Sequence, residues 1–291
     1  MSSVLFDSPG PRGRRLVMFG NVASGVVVAG VVVFVLVVLA QQGQLDPALW
    51  VAALDGRAWQ FYYLPGLQNT LRAAAFATVG AVAFGVLFGV GRLSLNPLVR
   101  VLSGVVVEFF RAVPVLLMMF FLWVFFSRQL TWVPDRPYAA VVVALVLYNG
   151  SVIAELVRSG VRNLPRGQSE AALAVGLTGA QSLRSVLLPQ ALVAMLPAVI
   201  SQLVVVLKDS ALGTLIAYPE LLRATQILAS GEQNPLQALT VAALVFIVLN
   251  WLLSVLAHRL SLTLSSRTSG KTVEGVGIGN PVAAPVVPEP H

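Results

Sequence analysis

Cysteine is absent from this 291-residue chain, so no disulfide and no thiolate metal site exists. Histidine is nearly absent too. His258 and His291 are far apart, and the second is the last residue, which argues against a histidine metal centre. Charge is scarce, at 11% of residues, while 57% are hydrophobic and the mean hydropathy is +0.85. A soluble domain of this length has no way to hide so much apolar surface, so the composition describes an integral membrane protein. The formal charge of +7 does not imply nucleic acid, because the basic residues lie between apolar runs rather than in a block interleaved with aromatics.

The apolar runs are long. Crossing roughly 30 Å of hydrocarbon takes about 20 helical residues, and six stretches qualify: 20–40, 71–91, 101–126, 138–157, 191–217 and 236–257. The expected fold is all-α and polytopic, with about six transmembrane helices. Arg12, Arg14 and Arg15 precede the first run as they would a secretory signal, but the run is too long for a signal's apolar core and reads as a retained helix. If the spans alternate, these arginines share one side with Arg92, Arg100, Arg158, Arg162, Arg166, Arg184, Arg259, Arg267 and Lys271. The other side has Arg57, Arg128, Arg136, Lys208 and Arg223, offset by six acidic residues. The positive-inside bias makes both termini cytoplasmic.

The same bias puts "SEAALAVGLTGAQSLRSVLLPQAL", residues 169–192, in the cytoplasm, and this loop has readable order. Ser169 is placed to cap a helix "EAALAV" that Gly176 ends, because glycine takes the left-handed conformation past a helix end most cheaply. Thr178 and Gln181 fit a capping box that opens a second helix, expected to stop at Pro189. Two short helices joined at a glycine form a knob.

Polar residues inside apolar runs are the other candidates. Glu108 and Arg111, three apart, suit an ion pair, as do Glu155 and Arg158. Gly85 and Gly89 form a G-x-x-x-G, read here as general helix packing. Lys208 and Asp209 are adjacent on a helix and point about 100° apart, so they cannot satisfy each other. Ser210 and, in "YNGS", Asn149 add uncharged polar groups. Either these line a substrate path or the charges mark a solvated outer helix end. In the tail, Gly270, Lys271 and Thr272 imitate the end of a phosphate-binding loop, but Ser265 stands where its first glycine belongs and no strand precedes it. ATP is therefore not expected to bind here.

The spacing Glu170, Ala171, Ala172, Gly176, Val186, Leu188, Pro189 resembles the EAA loop of ABC-importer permeases, with valine for the usual isoleucine. "GLQNTLRAAAFATVGAVAFGVLFGVGRLS", "VEFFRAVPVLLMMFF", "NGSVIAELVRSGVRNLPRGQSEAA" and "LVVVLKDSALGTLIAYPEL" resemble the polar amino-acid subfamily of histidine and glutamate type. The resemblance implies a type I ABC importer permease in the bacterial inner membrane, with no catalytic residue and no cofactor of its own. It implies two partner ATPase subunits that hold ATP and Mg, and a second permease subunit, identical or paralogous. It also implies an extracytoplasmic solute-binding protein, surrounding membrane lipid and a polar amino acid as substrate, glutamate being the guess. Glu170, Ala171, Ala172, Gly176, Leu188 and Pro189 would couple to the ATPase, and the resemblance favours the path for Lys208, Asp209 and Ser210. The expected organisation is 1–63 as N-terminus, first span and external segment; 64–262 as permease core with a coupling loop at 158–190; and 263–291 as a disordered cytoplasmic tail. An ion-gradient transporter would need inverted repeats that the sequence does not display, and a non-transporting scaffold would not need Lys208 and Asp209.

Overall fold

The computed structural model describes residues 10–268. Its described elements are helical: α1 (Pro11–Gln41), α2 (Pro47–Leu54), α3 (Gly56–Ala58), α4 (Leu64–Gly91), α5 (Pro97–Ala112), α6 (Val115–Gln129), α7 (Arg136–Arg162), α8 (Arg166–Ala174), α9 (Gly179–Ser182), α10 (Leu188–Asp209), α11 (Leu221–Glu232) and α12 (Pro235–Thr268). Five helical stretches are long and apolar enough to cross a membrane, and the bent pair α5 and α6 makes a sixth if counted as one span. In lipid only helices with internally satisfied backbones or closed barrels are viable, so this architecture is what the composition requires.

The centre of the structure is the packing of α4 on α7. Ala73, Ala77, Ala81, Gly85 and Gly89 recur every fourth residue on α4 and are all buried. Small residues at this spacing clear one face so that backbones approach. At Gly85 an added Cβ would lie 2.4 Å from Ile153 Cγ2 and 3.0 Å from the Gly150 carbonyl oxygen; at Gly89 it would lie 2.8 Å from Val157 Cβ. The G-x-x-x-G pair is thus part of a longer seam that runs the length of the helix.

Three sequence expectations are corrected here. The run 101–126 is not one continuous helix: α5 and α6 meet at 99°, because Pro114 holds Val113 extended (φ −85°, ψ 127°) and has no N–H to continue the ladder. The run 191–217 is helical in the α sense only to Asp209. A 3₁₀ segment, Ser210–Ile216, follows and closes on Ala217 in the left-handed region. The segment before residue 64 packs on the core, with Ala53, Ala58 and Tyr63 buried against Leu221, Leu228 and Ala238 in a satellite cluster. Gln237 Nε2 donates to the Gln44 carbonyl at 2.6 Å and Asn234 Nδ2 to that of Leu49 at 3.2 Å, which fastens α2 to the start of α12. At the other end, α12 runs on to Thr268, six residues into the expected tail; the phosphate-loop imitation at Gly270, Lys271 and Thr272 lies outside the described residues.

Residues 218–221 turn the chain from the 3₁₀ segment into α11 and are tied to α4. Asn69 Nδ2 donates to the Pro219 carbonyl at 2.9 Å, Tyr218 OH donates to that of Asn69 at 2.9 Å, and the Leu221 amide donates to Thr70 Oγ1 at 3.1 Å. Within this turn the buried Glu220 carboxylate caps α11, accepting from the Leu222 amide at 2.8 Å and the Arg223 amide at 2.7 Å. Burial pushes its pKa up to about 7, against the pull of those two amides. A raised carboxyl favours folding while protonated, so its contribution is full below about 4.5 and is lost as pH rises through about 7, a difference of roughly 3 kcal/mol. The thermal stability of the purified protein should therefore fall between these pH values. Glu220→Gln should flatten that fall, and parallel profiles for the two proteins would exclude Glu220 as its source.

Candidate functional site: a capped loop, a charge cluster and a polar contact

Residues 158–190 form a closed knob. α8 begins at Arg166 with Pro165 in the capping position, so Ser169 lies inside the helix and is not its cap; the fixed φ of Pro165 starts the helix one turn earlier. At the far end Gly176 has φ +88°. Its amide donates to the Leu173 carbonyl at 3.0 Å and the Leu177 amide to that of Ala172 at 3.2 Å, the two bonds of a Schellman motif. The next helix opens with the expected capping box: Gln181 N donates to Thr178 Oγ1 at 3.3 Å and Thr178 N to Gln181 Oε1 at 2.8 Å.

Pro189 does not end this second helix. A π turn, Leu183–Leu187, widens the ladder so that the Leu188 amide donates to the Leu183 carbonyl, and α10 continues with Pro189 in its first turn, where an N–H is dispensable. The coupling positions Leu188 and Pro189 thus form the root of a span, and Leu188 is half-buried. Gln190 Nε2 donates to Gln168 Oε1 at 3.2 Å, joining this root to α8. Glu170 and Ala171 are exposed as the sequence suggests, but Ala172 is buried and packs inward. The apolar surface of the knob is instead Ala171, Leu173 (51% exposed) and Val175 (78% exposed). Val175 carries no sequence signal beyond being apolar beside a helix end.

Near the same ends of the helices lies a cluster in which Arg92 is the hub. Its Nη1 contacts Glu155 Oε2 at 2.7 Å and its Nη2 contacts Glu108 Oε1 at 2.8 Å. Arg158 Nε donates to Glu155 Oε1 at 3.1 Å, while Arg111 Nη1 stands 3.5 Å from Glu155 and 3.7 Å from Glu108. The expected pairs Glu108 with Arg111 and Glu155 with Arg158 both exist, but as parts of one network across α4, α5 and α7. Arg92 caps the C-terminal end of α4, and in the sequence it stands out only as a loop cation.

The four candidate path residues do not converge. Asn149 is fully buried on α7; its Oδ1 accepts from Gln202 Nε2 of α10 at 2.7 Å and its Nδ2 donates to the Leu145 carbonyl at 3.1 Å. Ser210 is buried and its hydroxyl donates to the Leu207 carbonyl at 2.7 Å. Lys208 is exposed and Asp209 half-buried, six and seven residues beyond Gln202, or about 9–10 Å along the helix. Gln202, which the sequence reading missed, is the amide that links α10 to α7.

The model of the family described as binding-protein-dependent transport system inner membrane component matches residues 81–269. The glutamate transport system permease protein GluD of Corynebacterium glutamicum is 46% identical over 237 residues, which cover 81% of this chain and 86% of that protein. The probable glutamine ABC transporter permease protein GlnP of Bacillus subtilis is 33% identical, covering 67% and 90%. Among solved structures, an amino acid ABC transporter with histidines superposes with a TM-score of 0.62 at 25% identity, covering 70% of this chain and 93% of that one. The MetNI methionine ABC transporter in an inward-facing conformation gives 0.60 at 22% identity, over 72% and 99%. With a matched region that contains the Gly85 to Gly89 seam, the arginine-centred cluster and the doubly capped loop, this chain belongs to the inner-membrane components of binding-protein-dependent transport systems, the multi-pass permease subunits of ABC importers.

Proposed function

We propose that this permease carries an acidic amino acid of the glutamate class inward, driven by ATP that is hydrolysed on separate subunits. The observation that supports the substrate is the 46% identity to a glutamate permease over 81% of the chain. In this reading two ATPase subunits hold ATP and Mg, a second permease chain completes the core, and an extracytoplasmic binding protein delivers the substrate. Both termini and the knob at 158–190 face the cytoplasm, where Glu170, Ala171, Leu173 and Val175 meet the ATPase over a framework set by Ala172, Gly176, Leu188 and Pro189. The rigidity of the doubly capped knob supports this role, since a lever transmits displacement only if its backbone is fixed.

Lys208 and Asp209 belong to the outer part of the path, with Ser210 and Asn149 shaping the wall behind them. A lysine exposed on a single chain at the end of an apolar run needs water or a partner rather than lipid, and a zwitterion shedding water needs both a cation and an anion. The test is uptake of radiolabelled L-glutamate by the reconstituted complex, normalised to assembled protein. Lys208→Met and Asp209→Asn should each lower it several-fold with ATPase assembly unchanged; wild-type rates in both remove these residues from the path. In intact cells, single cysteines at Ser127 and Ser169 check orientation, because an impermeant thiol reagent should reach the first and not the second.

A further inference from the structure

Between α5 and α7, beside the charge cluster, is a cavity of about 320 Å³ lined by Glu108, Arg111, Ala112, Tyr148 and Val152. We infer that it is an amino-acid site in the inner half of the pathway, in which Arg111 binds a carboxylate, Glu108 the α-ammonium and Tyr148 a second oxygen. The inference rests on the importer reading, and it adds a site distinct from Lys208 and Asp209.

Depth is the first ground. Glu155, which Arg111 faces at 3.5 Å, lies seven residues before the end of α7, or about 10 Å inside it. Glu108 is 59% exposed and Arg111 37% exposed on the single chain. Charges exposed beside apolar spans are costly to present to lipid, so the face they occupy borders a water-filled space or another chain.

The division of labour within the cluster is the second. Arg92 and Arg158 make the short contacts and satisfy Glu155. Arg111 makes no hydrogen bond among the described residues: its two ion-pair distances, 3.5 and 3.7 Å, are beyond good donor geometry. A guanidinium held in place by charge but with its donor fork unused is suited to receive a carboxylate in two-pronged fashion. The Tyr148 hydroxyl likewise has no hydrogen-bond partner among the described residues, while Ala112 and Val152 supply the apolar wall.

Charge is the third ground, and it selects the ligand. Arg92, Arg111 and Arg158 against Glu108 and Glu155 leave one positive charge. A dicarboxylic amino acid, net −1, neutralises it; a lysine-like substrate would add to it.

The chain has no cysteine, so Val152→Cys gives one reporter in the cavity wall. In the assembled, transport-competent complex a small anionic thiol reagent should modify it, and millimolar L-glutamate should slow that reaction threefold or more while L-lysine does not. Arg111→Gln in this background should abolish the protection and lower glutamate uptake, normalised to assembled complex, at least tenfold. Equal labelling with and without glutamate overturns the site. So does an unreactive cysteine combined with loss of assembly in Arg111→Gln, which would assign this face to the second permease chain. If the wild-type complex carries no acidic amino acid at all, the substrate proposal fails. If it does and Arg111→Gln transports at the wild-type rate, only this site fails.

Discussion

Gly176→Val should cut ATP-driven uptake at least tenfold while leaving the membrane helices folded. No neighbouring atom lies within 4 Å of a Cβ added at Gly176, so the expected damage is not a clash. It comes from the backbone: at φ +88° a β-branched residue is strained by about 1–3 kcal/mol. That strain is relieved if the residue leaves the left-handed region, which gives up both bonds of the Schellman motif and frees α8 from its link to α9. The knob would then still be present but no longer rigid. Gly176→Asn is the graded control, because asparagine visits the left-handed region more readily than other non-glycine residues, and it should retain most of the uptake. Both variants should co-purify the spanning core at wild-type levels, with valine weakening ATPase retention. Transport by Gly176→Val within twofold of wild type would remove the knob from the coupling path.

What the sequence made legible here is local. The Thr178 and Gln181 capping box and the Gly176 terminus depend on residues three or four apart, and both stand in the structure where the sequence implies them. Long apolar runs locate spans for the same reason. The failures involve proline and distance. Pro114 was hidden inside a hydrophobic run whose mean gives no sign of a 99° bend, and Pro189 looks like a stop only until the π turn before it is known. Ala172 looks like part of a docking surface because alanine carries no directional signal, and helix phase decides that it faces inward. For the candidate sites, Glu108, Arg111, Glu155 and Asn149 are conspicuous as polar residues in apolar surroundings, but their partners are not. Arg92 is 63 residues from Glu155 and Gln202 is 53 from Asn149; no spacing rule relates residues that meet only because α4, α7 and α10 pack together.

Arg92→Met should be the most destabilising single change in the cluster. The Arg92 side chain is only 10% exposed and contacts two carboxylates on two other helices, so methionine fills its volume without replacing either contact. Breaking a fully buried pair typically costs 3–5 kcal/mol. The expected loss here is smaller, about 2 kcal/mol, because Arg158 still neutralises Glu155 and the exposed Glu108 can hydrate. In a chain of this size that is a fall of roughly 5 °C in the melting temperature of the detergent-solubilised protein. Arg92→Lys keeps the charge but has no fork to span Glu108 and Glu155 together, so it should fall between methionine and wild type. The decisive measurement is a double-mutant cycle with Glu155→Gln. If Arg92 acts through Glu155, the double variant should be at least 1 kcal/mol more stable than the sum of the single losses predicts. The same cycle against Ser94→Ala, whose hydroxyl accepts from the Asn96 amide at 3.2 Å, should be additive. Additivity in the Glu155 cycle would mean that the Arg92–Glu155 contact contributes no stability, and that α4 and α7 are held here by the packing of their small-residue seam.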